Sequence, residues 1–124
     1  MTQLTADIFR AAKALISTED KWLHPSVAPG TDLFHEWYKP RSAPDRRLDM
    51  AMAIFQAITD RVQEHSDACD QLTIASMELM YRLAPPKGSD KGWWDEAWED
   101  QPERTLVEIH EMLDRAAAVC EAGE

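Results

Sequence analysis

An all-α fold, a single small domain of about four main helices, is the class that this 124-residue sequence predicts, and three observations predict it. Apolar residues recur at spacings of three and four along most of the chain, no stretch alternates apolar and polar residues as a half-buried strand would, and Thr105 with Glu108 forms a T-x-x-E capping box. One domain, residues 1–124, suits the length. A domain of this size buries roughly two-thirds of its unfolded surface, enough for a core without staples.

The first helix is expected over residues 5–17, with Thr5 as N-cap and Ile8, Phe9, Ala12, Leu15 and Ile16 on one face. From His24 to Pro44 the chain carries Pro25, Pro29, Gly30, Pro40 and Pro44, which restrict regular structure to a turn or two after Thr31. Leu33, Phe34, Trp37 and Tyr38 would be wasted in solvent, so this aromatic-rich connection is expected to wrap across the helices. A second helix, from about Pro44 to Glu64, places Leu48, Met52, Phe55, Ile58 and Val62 on its buried stripe and leaves Met50 off it. It is expected to be the central helix.

Ser66 reads as a fresh N-cap after a tight corner at His65. The third helix carries Cys69, Leu72, Ala75, Met77, Met80 and Leu83 as its apolar residues and ends at Pro85 and Pro86. A polar P-P-K-G-S-D-K-G linker leads into a Trp-rich turn, and the last helix begins at the capping box. Ile109, Met112, Leu113, Ala116 and Cys120 form its buried face, with Glu111 and Arg115 paired on the exposed side.

The formal charge is −10, and residues 90–124 hold 11 acids against 3 bases. Such a field disfavours direct binding to nucleic acid and to anionic membranes, and favours a protein partner with a basic surface. No basic segment followed by an apolar run opens the chain, and no stretch approaches a membrane span, so a cytoplasmic protein is expected. Cys69 and Cys120 are too few for a disulfide framework and fall on apolar faces, where a thiol behaves as a small hydrophobe.

The chemistry-bearing patterns are mostly missing. No H-E-x-x-H or C-x-x-C occurs, and His110 with Asp114 supplies only two ligands, so no metal is expected; His110 reads as a solvated helix residue. The four glycines are scattered, with no Walker A loop and no G-x-G-x-x-G, so no nucleotide cofactor is expected either. A nucleophile elbow is absent, and the abundant acids are not placed in a pocket by their spacing. The methionines could make an adaptable groove, but most sit on stripes assigned to the core.

What stands out is W-W-D-E-A-W-E-D-Q-P-E-R-T, from Trp93 to Thr105. Trp94 and Trp98 lie four apart and share a helical face, while Trp93 points elsewhere. An exposed indole rimmed by acids is a strong anchor for a partner, so Trp93, Asp95, Glu96, Glu99 and Asp100 are the candidate partner-binding residues. Two alternatives use the same acids. Asp95, Glu96, Glu99, Asp100, Glu103, Glu108, Glu111 and Asp114 could imitate a row of phosphates and block a basic nucleic-acid-binding groove, or carboxylates such as Asp95 and Glu99 could converge in the pocket of a small intracellular enzyme.

The run W-E-D-Q-P-E-R-T from Trp98 to Thr105, followed by a helix carrying D-R-A-A, resembles the C-terminal W-N-D-x-P-G-R-T signature of an uncharacterised family of short actinobacterial and actinophage proteins. The opening helix followed by Lys21 and Trp22 is similar to that family's first helix and Gly-Trp turn. The sequence departs from the family's Cys-Ala-x-Gly-Ala helix, having A-M-A-I-F at residues 51–55, so no role of that thiol carries over. The resemblance implies no activity; it implies a phage or accessory-gene context. The expected function is therefore a non-enzymatic acidic protein-binding module that inhibits a partner by occupying its surface.

Overall fold

The computed structural model describes residues 3–23, 46–83 and 104–123. Among the described residues the domain is all-α, with four helices, α1 (Gln3–Leu15), α2 (Met50–Thr59), α3 (Asp67–Leu83) and α4 (Leu106–Glu121), and a 3-10 turn at Glu19–Lys21 after α1. The aromatic-rich connection and the Trp-rich turn expected between these helices fall outside the described residues.

α1 takes the central place that the sequence suggested for the second helix, because it packs extensively on both α4 and α2, while α3 closes the far side against α2 and α4. The reason lies in its composition: Ala6, Ile8, Phe9 and Ala12 are all fully buried, as is Ile16 just after the helix, and two small alanines let neighbouring helices approach closely. Thr5 is not its N-cap. The helix begins at Gln3, and Thr5 is buried within its first turns.

After the 3-10 turn the chain runs beside the lead-in to α2. Leu23 N–H donates to Leu48 O and Leu48 N–H to Lys21 O, each at 2.9 Å, forming an isolated parallel bridge between Trp22 and Leu48. No strand occurs among the described residues. The bridge shortens α2: Leu48 is buried as extended chain, and Asp49 caps the helix by accepting from Met52 N–H at 2.8 Å. Met50, expected off the stripe, becomes the first helical residue and is fully buried, whereas Phe55 and Val62 are only half-buried.

The corner into α3 forms where expected. His65 adopts φ 65°, a left-handed conformation that histidine tolerates better than β-branched residues, and Ser66 Oγ accepts from Cys69 N–H at 3.2 Å. The buried line of α3 is rotated from the expected one: Cys69, Ser76, Leu79 and Met80 are buried, and Ala75 and Met77 only half so. α4 follows its sequence pattern closely, with Ile109, Met112, Leu113, Ala116 and Cys120 all in the core. Glu111 and Arg115 are exposed and form no ion pair with each other, an outcome that costs little because such solvated pairs contribute only tenths of a kcal/mol.

Candidate functional site

The five candidate partner-binding residues, Trp93, Asp95, Glu96, Glu99 and Asp100, lie outside the described residues. What the structure does describe is the frame at the two ends of their segment, Leu83 at the end of α3 and Arg104 just before α4. The downstream end is held firmly. Thr105 Oγ1 accepts from Glu108 N–H at 3.3 Å, while Thr105 N–H donates back to Glu108 Oε1 at 3.1 Å. Arg104 Nη1 adds a 2.7 Å ion pair to Glu108 Oε2, with the arginine side chain only 13% exposed.

This geometry explains the electrostatics of Glu108. The Thr105 backbone N–H and then the Arg104 guanidinium hold its carboxyl below the usual value, so it is an anion committed to the helix start. Asp20 is likewise held down, chiefly by the Thr18 hydroxyl. Both shifts run opposite to what a general acid requires, which is a carboxyl raised towards neutrality.

The acidic band is partly spent within the described residues. Of its last three members, Glu108 is paired with Arg104, Asp114 accepts from Lys13 Nζ at 2.8 Å, and Glu111 alone keeps an unpaired exposed carboxylate. Lys13–Asp114 and the neighbouring Arg10–Glu121 pair join α1 to α4 on the surface. A phosphate-mimicking row needs carboxylates free to meet a partner's cations, and bases of the same chain already answer two of these three.

His110 is not the solvated residue expected. Its Nε2–H donates to the carbonyl oxygen of Ile16 at 2.8 Å, since a carbonyl can only accept. Both cysteines are buried and neither is in a disulfide, and burial pushes the Cys120 thiol up, away from nucleophilic thiolate. Among the described residues, no three His, Cys, Asp or Glu side chains gather so as to hold a metal ion, and no helix is long and apolar enough to cross a membrane.

Sequence reasoning passed over three side chains that the structure leaves in solvent: Ile74 at 58%, Tyr81 at 54% and Val107 at 64% exposed. The available signal was negative. Each is a large apolar residue that fits no buried stripe of its helix, and such residues mark contact surfaces when they align.

No curated protein and no solved structure matches the chain. The model of a family of unknown function, DUF6197, matches residues 1–119. A match spanning nearly the whole chain means that the protein belongs to this family.

Proposed function

We propose that the protein is a non-enzymatic, acidic protein-binding module, of the kind that phage and accessory genes encode, which inhibits a partner by occupying a basic surface of it. The observation that carries the reading is the segment from Trp93 to Asp100, in which three tryptophans are interleaved with four acids. Indoles bury large area with few rotors, and flanking carboxylates steer a cationic partner into place. The tight capping of α4 by Thr105, Glu108 and Arg104 supports it by giving the segment a fixed downstream anchor. Two buried cysteines outside any disulfide suit a reducing cytoplasm.

The experiment is parallel capture from a lysate of the source organism at physiological salt, using wild type, Trp93→Ala, and a variant with Asp95, Glu96, Glu99 and Asp100 changed to their amides. A protein retained by wild type, lost by Trp93→Ala and retained less well by the amide variant is the expected result. If the same proteins are retained by all three chains, the reading fails.

A further inference from the structure

The solvent side of α3 carries an apolar seam. Ile74 and Tyr81 are both more than half exposed and stand seven residues apart, so they lie one above the other, two turns apart, opposite the buried Cys69, Ser76 and Leu79. Half-buried Met77 falls between them along the helix but packs against the core, so the exposed seam consists of Ile74 and Tyr81. Single exposed apolar residues are ordinary, but a seam on the face turned away from the core is what a second helix packs against.

The charges around the seam select its occupant. Exposed Asp67 and Asp70 sit at the N-terminal end of this helix, exposed Glu78 beside the seam, and exposed Arg82 at the C-terminal end. A parallel pairing of two copies would stack all four aspartates at one end. An antiparallel pairing sends the two acidic ends apart and sets Ile74 of each copy over Tyr81 of the other. In that register Arg82 comes level with position 73 of the second copy, between its Asp70 and Glu78, about 4.5 Å and 7.5 Å away along the axis at a rise of ~1.5 Å per residue. The face is thus complementary to itself in one orientation, as a two-fold contact requires.

From this we infer that the protein self-associates through an antiparallel α3–α3 contact centred on Ile74 and Tyr81. The contact is modest in area and each copy carries a charge of −10, so the dimer is weak and reversible at physiological ionic strength. The inference is independent of the proposed partner binding, because it uses none of residues 93–100.

Sedimentation equilibrium of the full chain, up to about 1 mM, tests it. The expected result is a monomer–dimer equilibrium whose dissociation constant rises at least ~tenfold in Ile74→Ser/Tyr81→Ser and several-fold in Arg82→Glu, with helix content unchanged. Orientation is read by mixing Ile74→Cys and Tyr81→Cys chains under oxidised glutathione, where the mixed disulfide should form ahead of either symmetric one. A chain that stays monomeric throughout, a dimer indifferent to Ile74→Ser/Tyr81→Ser, or preferential symmetric disulfides would each overturn the inference. A monomer whose tryptophan emission shifts in Tyr81→Ser would assign the face to the chain's own Trp-rich segment instead.

Discussion

His110 on α4 donates from Nε2 to the carbonyl oxygen of Ile16, 2.8 Å away, just beyond the end of α1. The bond satisfies a carbonyl that the helix leaves over and ties together the two helices with the most extensive contact in the fold. His110→Leu removes the donor and strands the acceptor. It should lower stability by about 1 kcal/mol, seen as a reduced midpoint in urea with an unchanged slope.

The capping box makes a second expectation. Thr105→Ala removes the acceptor for Glu108 N–H and should cost about 1 kcal/mol of unfolding free energy. Glu108 adds a pH signature. Its folded carboxyl titrates below the ordinary value of 4.5, so its stabilisation is complete above about pH 4.5 and is lost as the pH falls through the depressed folded value. Glu108→Gln keeps the cap geometry and loses the charge, so thermal melts between about pH 5 and pH 3 should show a flatter acid decline than wild type.

Ser76 points the other way. Its hydroxyl is fully buried on α3 without a hydrogen-bond partner among the described residues, whereas Thr73 one turn earlier returns its hydroxyl to Cys69 O at 2.8 Å. Ser76→Ala removes an unsatisfied group at almost no change in volume, so the unfolding free energy should rise by roughly 1 kcal/mol. A loss of similar size would mean that the hydroxyl has a partner in solution.

Burial of Cys69 and Cys120, with the Cys120 thiol held above its ordinary value, predicts that an aromatic disulfide reagent labels the native protein slowly. Labelling should accelerate to the rate of a free thiol once denaturant unfolds the chain. Rapid native labelling at neutral pH would contradict the packing of α3 at Cys69 or of α4 at Cys120.

Much of this fold was legible where the signal is local. The capping box, the α4 stripe and the Ser66 cap are each written within a few residues, and all three form. α2 was misread because its start depends on a distant partner: Trp22 pairs with Leu48, holds it extended, and leaves Asp49 to cap the helix instead of Pro44 to open it. The same event brings Met50 into the core, which no helical periodicity started at Pro44 could show. On α3, Ile74 and Tyr81 were visible only as residues that fit no stripe. Trp93, Asp95, Glu96, Glu99 and Asp100 stand out by composition, and they lie outside the described residues.

The central claim is that Trp93 anchors a partner while the acids beside it orient the approach. Affinity for the captured partner, measured from about 50 mM to 500 mM salt with wild type and Trp93→Ala, tests it most directly. The account predicts a wild-type affinity that falls by less than ~tenfold over that range and is lost in Trp93→Ala. A steep decline with salt, together with undiminished binding by Trp93→Ala, would contradict it and assign the contact to the acidic row alone.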